Sequence, residues 1–195
     1  MAATDKQSTQ AKPAPKKTSG GARAKAAAKR KSSPGQGAAT SASAGEQDAI
    51  QLLTADHREV AAMFERFQQL DADDQKQELA ENICLALLVH TQIEEEIFYP
   101  AFRKATKDND MADEATVEHQ AAKNLIQQIE SMEPEEDLYD AKVKVLSEEI
   151  EHHVKEEEEK GGMFDEARKA KMDLVGLGKR MAERKQQLMA ELAGD

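Results

Sequence analysis

From about residue 46 the apolar positions of this 195-residue chain fall into a helical rhythm. Ile50, Leu53, His57, Val60, Phe64 and Phe67 follow alternating steps of three and four, the spacing that lines one face of a helix. Asp71 to Asp74 predicts a polar turn. Leu79, Ile83, Ala86, His90, Ile93 and Ile97 then form a second stripe, with Glu94 beside it and Pro100 marking the neighbourhood of its end. After the polar stretch from Lys107 to Asp110, a third stripe carries Ala115, His119, Ala122, Ile126 and Ile129. Ser131 to Pro134 breaks it, and Pro134 suits the first turn of a fourth helix running from about Glu135 to Glu159 and stopped by Gly161-Gly162. A fifth amphipathic segment offers Leu174, Leu177, Met181, Leu188 and Leu192 as contacts, and no stretch has the alternation of a strand.

Four long helices joined by short turns predict an all-α fold, an up-down-up-down four-helix bundle over residues 46–165. Residues 166–195 are expected to form an additional C-terminal helix packed on the outside or end of that bundle, with dimerisation as the alternative use of its apolar face. Monomer and dimer both remain open.

Composition adds a different kind of segment in front. Residues 1–45 hold nine Lys and Arg against Asp5 alone, a formal +8, so the whole-chain charge of −11 leaves −19 for the remainder. Ala, Lys, Pro, Ser, Gly and Thr dominate there, too little apolar surface to offset the entropy of ordering, so a disordered basic tail is expected. Lys29-Arg30-Lys31 could touch nucleic acid or another polyanion, or the tail could simply solubilise; both readings stay open. The acidic body by itself is a poor nucleic-acid binder. No apolar run reaches the length of a membrane span and no secretory apolar core is present. Cys84 is the only cysteine, set among Ile83, Leu85, Leu87 and Leu88. It reads as a small buried side chain in a reducing, cytoplasmic setting.

The chemistry lies in the histidines. All five fall between residues 57 and 153, and four of them form two copies of one pattern. His57 is followed by His90 with Glu94 four residues on; His119 is followed by His153 with Glu157 four residues on, at offsets of 62, 63 and 63 between the copies. An i,i+4 pair lies on one helical face, so each His–Glu pair can reach a common point. His57, His90 and His119 sit on the apolar stripes. On the fourth helix, Tyr139, Val143, Leu146 and Ile150 lead to His153 and Glu157, whereas the stripe that ends at His152 and Glu156 already carries Glu149. His153 with Glu157 is therefore the inward pair, and His152 a rim residue. Glu95 and Glu96 are expected to face water or to support a ligand, and the run Glu156 to Glu159 to be mainly a solvated acidic stretch.

One histidine on an apolar face is more often a satisfied core residue than a ligand. Four of them with two i+4 glutamates, matched across two halves, point instead to a shared partner, because burying so many polar groups alone would be costly. Each glutamate can bridge, so His57 and His90 would serve one ion and His119 and His153 the other. Nitrogen and oxygen donors without thiolate suit iron, manganese or zinc. Iron is the favoured choice, since an open dinuclear site of this kind can bind dioxygen or peroxide.

These residues carry a resemblance. Asp56-His57-Arg58, His90 through Pro100, Glu118-His119 and His152-His153 through Glu157-Glu158-Glu159 resemble the hemerythrin/HHE cation-binding domain family over about residues 48–165. The resemblance implies a non-haem, carboxylate-bridged centre of two iron ions, with His57, His90, His119 and His153 as terminal ligands and Glu94 and Glu157 as bridges. Oxygen-carrying members place a second histidine one turn after the third-helix histidine, where this chain has Lys123, and end in His-x4-Asp, where it has His153-x3-Glu157. The broader HHE type therefore fits better. Met163-Phe164 also lie two residues further from their histidine than Phe98-Tyr99 do, and Asp165 replaces the expected proline, so the helix is expected to end or bulge there and open access near the second metal.

The expected function is a small di-iron protein that binds, senses or detoxifies oxygen, peroxide or nitric oxide, or buffers iron. Two alternatives stand beside it. One is an enzyme that disproportionates peroxide or reduces nitric oxide, with Tyr99 and neighbouring glutamates as the only acid–base groups. The other is a metal-responsive interaction protein whose basic tail binds DNA. No Ser/His/Asp triad, phosphate-binding glycine loop or zinc ribbon is evident.

Overall fold

A computed structural model describes residues 47–107 and 109–192. The tail expected over residues 1–45 lies outside them. The described chain is helical throughout: α1 (Ala49–Phe67), α2 (Asp73–Ile93), a π-helical turn (Glu94–Phe98), α3 (Tyr99–Thr106), α4 (Asp110–Glu130), α5 (Tyr139–Glu158), α6 (Met163–Lys169) and α7 (Leu174–Leu192). Helices α1, α2, α4 and α5 form the four-helix bundle. α1 packs against α2 and α5, and α4 against the same two, which closes the ring. Helix α7 lies outside it along α1, α2 and the π turn.

Local chemistry explains the beginnings and ends. Asp48 opens α1 with a reciprocal cap: its carboxylate accepts the Gln51 backbone N–H, and the Gln51 side chain accepts that of Asp48. The fourth bundle helix ends where Glu159 turns extended, and Gly161, at φ +88°, takes the left-handed position of the turn that Gly162 N–H closes on the Glu159 carbonyl.

Three expectations need correction. The C-terminal segment expected as one helix over 166–195 is split among the described residues, α6 ending at Lys169 and α7 starting at Leu174. Pro100, expected in the neighbourhood of the second helix's end, lies inside its continuation. The backbone widens into the π turn just before it, Tyr99 N–H bonding to the Glu94 carbonyl, and the helix resumes as far as Thr106. A widened turn accommodates the missing N–H of proline, and such turns cluster at functional sites. Nor does the fourth helix begin at Glu135. Glu133 and Glu136 close a small turn on each other, Pro134 is buried within it, Leu138 adopts φ 77°, and α5 starts only at Tyr139. Local hydrogen bonding won over the proline signal.

Two apolar clusters fill the bundle. One gathers Val60, Phe64, Ile83, Leu87, Ile126 and Leu146. The other gathers Leu53, Ile93, Phe98, Tyr99, Ala115 and Phe164, extended by Leu177, Met181 and Leu188 of α7. Between Leu53 and Val60, Leu87 and Ile93, Ala115 and Ala122, each stripe crosses from one cluster to the other. A histidine occupies each crossing.

Candidate metal centre

His57, His90, Glu94, His119, His153 and Glu157 are all buried, in one layer between the two apolar clusters. Their inward atoms converge. His57 Nε2 lies 3.1 Å from His90 Nε2, and His119 Nε2 lies 3.2 Å from His153 Nε2. Glu94 Oε2 is 3.1 Å from His90 Nε2 and 3.4 Å from His119 Nε2. Glu157 Oε2 is 3.5 Å from His57 Nε2 and 3.8 Å from His153 Nε2. Each carboxylate thus spans both histidine pairs. Two sets, His57 with His90, Glu94 and Glu157, and Glu94 with His119 and His153, have their donor atoms within 4.8 Å of one another.

The outward ring nitrogens follow an equally regular scheme that crosses between helices. His57 Nδ1 meets Glu158 of α5 at 2.7 Å, and His119 Nδ1 meets Glu95 of the π turn at 3.0 Å. His153 Nδ1 meets Glu118 of α4 at 2.7 Å, and His90 Nδ1 faces Asp56 of α1 at 3.6 Å. For His57, His119 and His153 the carboxylate accepts the Nδ1–H and turns the Nε2 lone pair inward, as in sites that bind metals, whereas His90 Nδ1 and Asp56 Oδ2 face each other beyond hydrogen-bonding distance. The four carboxylates were overlooked as a set in the sequence, yet a signal existed. Each is the immediate neighbour of a repeated residue: Asp56 and Glu118 precede a histidine, and Glu95 and Glu158 follow a glutamate.

Two inward lone pairs at 3.1 Å repel unless a positive species lies between them. Donors held at about 2.1 Å from one ion, at right-angled to tetrahedral angles, stand about 3.0–3.4 Å apart, which matches both histidine pairs. Glu94 Oε1 and Glu157 Oε2 are buried without a hydrogen-bond partner, a costly arrangement that a cation would relieve. The donor chemistry and spacing therefore fit metal ions. Protons compete for the same lone pairs. Burial works against the charge on His90, but Glu94 and Asp56 outweigh it and push the imidazole up to about 10. Burial and then the neighbouring His90 push His57 down to about 4. Burial and the Glu94 charge push Glu157 up to about 8.

Two aromatic rings cover the layer. Tyr99 stacks on His119 with centroids 5.4 Å apart, and Phe164 stacks on His57 at 5.9 Å and 4°. The Gly161-Gly162 loop absorbs the two extra residues before Phe164, so Phe164 faces His57 as Tyr99 faces His119. Only Tyr99 brings a hydroxyl: its oxygen lies 3.2 Å from His119 Nε2, 3.2 Å from Glu157 Oε1 and 3.4 Å from Glu94 Oε2. Tyr99 thus sits in the layer rather than merely packing beside it. At the same loop a cavity of about 190 Å³ reaches His153 and Glu157. The opposite side of the layer, under Val60, Leu87 and Ile150, leaves only about 10 Å³. His152 lies on the rim with its side chain 63 % exposed, and Glu96 pairs outward with Arg184.

Comparison with known proteins bears on the same residues. A family model described as the hemerythrin HHE cation binding domain matches residues 48–161, more than half of the chain. Among curated proteins, a DNA nickase from Nostoc sp. (strain PCC 7120 / SAG 25.82 / UTEX 2576) is 30% identical over 112 residues, covering 57% of this chain and 31% of the relative. The chain therefore spans about a third of that protein's length. Among solved structures, a hemerythrin HHE cation binding domain-containing protein from Mycobacterium kansasii aligns with a TM-score of 0.59 at 19% identity, over 74% of this chain and 89% of the other. At that identity the likeness is one of fold.

Proposed function

This chain belongs to the hemerythrin HHE cation-binding domain family, and from that premise we propose that its bundle, residues 46–165, holds two iron ions. His57 and His90 would ligate one ion, His119 and His153 the other, with Glu94 and Glu157 shared between them. The observation that carries this reading is the spacing of the inward donors, two imidazole pairs at 3.1 and 3.2 Å joined by two carboxylates that each reach both pairs. Iron is favoured over zinc because imidazole and carboxylate donors around a roomy side suit a redox-active ion with an exchangeable position.

The bound pair would supply reversible one-electron chemistry toward dioxygen, peroxide or nitric oxide, or a store for iron itself. The protein's own groups do the rest. Glu158, Glu95 and Glu118 hold three of the rings in orientation by hydrogen bonds, and Asp56 faces the fourth. Phe164 and Tyr99 exclude water from above, and the apolar side below leaves space for about one solvent molecule. The cavity beside His153 and Glu157 is the passage for a small ligand.

Iron analysis of protein reconstituted anaerobically tests the reading. The expected result is about two irons per chain, falling sharply in His90→Ala. Substantially less than two irons in the unaltered chain, with no uptake by the metal-free form, would overturn it.

Peroxide turnover is a second reading, and the Tyr99 hydroxyl favours it. A phenol within 3.2 Å of Glu157 and His119 can hold or pass a proton within the centre. Under that reading Tyr99→Phe keeps its iron and lowers steady-state peroxide turnover by about 10²-fold. Equal turnover in the variant, or none in the unaltered chain, would leave binding or sensing as the function.

A further inference from the structure

Three of the four carboxylates that orient the histidines carry a permanent cation on their outer side. Lys185 Nζ lies 2.6 Å from Asp56, Lys123 Nζ lies 2.7 Å from Glu95, and Arg58 pairs with Glu158 through Nη1 at 3.1 Å. Glu118 differs. Among the described residues no lysine or arginine pairs with it; its second oxygen faces His152 Nε2 at 3.6 Å, and His152 in turn meets Glu156 at 3.2 Å. Glu118, His152 and Glu156 together offer three donor atoms within 4.8 Å of one another. The duplicated design thus has a position for positive charge behind every orienting carboxylate, and at the fourth it is filled by groups that bind cations.

Place in the fold gives the cluster a use. Glu118 and Glu156 line the cavity of about 190 Å³ that runs inward to His153 and Glu157. Glu114 and Glu159 complete a rim whose lining contains no lysine or arginine. At the inner end Glu157, 2 % exposed, presents a carboxylate oxygen without a hydrogen-bond partner. A wall of one charge sign around an opening concentrates counter-ions and speeds their arrival.

We propose that Glu118, His152 and Glu156 form an outer site that captures a divalent cation, ferrous iron in the setting above, and delivers it through this cavity to the buried centre. The inference rests on the di-iron reading. His152 and Glu156 are side chains whose motion can hand an ion inward, while Glu118 holds the outer ion with one oxygen and the His153 ring with the other. Imidazole with two carboxylates suits an ion that must leave again, since an open three-donor set leaves most of its coordination to water.

The test is anaerobic mixing of the metal-free full-length protein with ferrous iron, following the rate of uptake and the final iron content. His152→Ala combined with Glu156→Gln should slow uptake by about ten-fold and reach the same final content. Glu114→Gln, which removes a rim charge but no member of the cluster, should slow it far less. Glu130→Gln, at the other end of α4, should leave it unchanged. Uptake by the double variant at the unaltered rate would overturn the proposal. So would equal slowing by Glu114→Gln, which would assign the effect to the general field of the rim. A lower final content in the double variant would also overturn it, by making the cluster part of the centre. If the unaltered protein takes up no iron, the di-iron reading itself fails, a result distinct from all of these.

Discussion

At the scale of single residues, the layer is a competition between protons and metal ions for the same lone pairs. His90 and Glu157, pushed up to about 10 and about 8, both hold protons near neutrality in the metal-free chain. A folded value above the unfolded one stabilises the fold fully below the unfolded value, and that contribution is lost as pH rises through the folded value. Metal-free protein should therefore lose stability from pH 7 to pH 10. His57, pushed down to about 4 by burial and His90, contributes its full share above its ordinary value and does not change in that range. Neither does Glu94, held well below the carboxylate range because His90 and His119 outweigh its burial. Thermal melting of the metal-free form between pH 7 and 10 checks the sign; a midpoint that rises with pH would contradict it. Metal loading at pH 7 should displace protons, His90 and Glu157 among their sources, measurable by calorimetry in buffers of different ionisation enthalpy. The orienting carboxylates offer a further check. Glu158→Gln keeps the shape but weakens the hold on His57 Nδ1, and should lower iron affinity by about 10- to 100-fold in competition with a chelator.

At the scale of elements, two irregular segments bring the aromatic covers into place. The π turn carries Glu94 and Glu95 on one wide loop of helix, so Glu94 points into the layer while Glu95 reaches across to His119 on α4. In the second half the chain breaks instead, and Gly161-Gly162 re-aims it so that Phe164 lands on His57. Gly162 allows this because its backbone passes against the end of α5: an added Cβ would collide with the Glu156 carbonyl and come within 3.0 Å of that of Glu157. Gly162→Ala should cost about 1–3 kcal/mol of stability by chemical denaturation, as other overpacked sites do. It should also disturb iron retention, since Glu157 sits in the displaced turn. Normal stability in that variant would show that the α5–α6 junction has slack the structure does not display.

At the scale of the whole molecule, the outer helix α7 supports the bundle from behind His90. It buries Leu177, Met181 and Leu188 against the apolar cluster beside the layer, and Gly178 passes close enough to the start of α1 that a side chain would strike the Gln47 carbonyl. It also supplies Lys185 to Asp56 and Arg184 to Glu96. Lys185→Ala should leave the fold intact but loosen Asp56, and with it His90, giving faster iron loss to a chelator than the unaltered protein shows. A variant that loses iron no faster would assign α7 a packing role alone. Because the six inward donors come from all four bundle helices and the π turn, iron loading should raise the melting temperature markedly, as ligands bound only by the folded state do.

How far the primary sequence reaches is clearest at particular residues. The bundle and its inward histidines were legible because helical period is a local property: His57, His90 and His119 share a stripe with leucines, isoleucines and alanines three and four residues away. The choice of His153 over its neighbour His152 followed from the same period, with Glu149 marking the wet face. The π turn, the delayed start of α5 and the split of the C-terminal segment into α6 and α7 were not legible, because each depends on hydrogen bonds or close contacts that leave no period. Nor could spacing along one helix show that Glu158 serves His57, Glu95 serves His119 and Glu118 serves His153. Those pairings join residues from different helices, and only packing brings them within a hydrogen bond. Sequence by itself determined which faces turn inward and what donors they carry. Tertiary structure decided which carboxylate steadies which ring, where Tyr99 places its hydroxyl and where the layer opens to solvent, because distance between helices is set by packing and not by position in the chain.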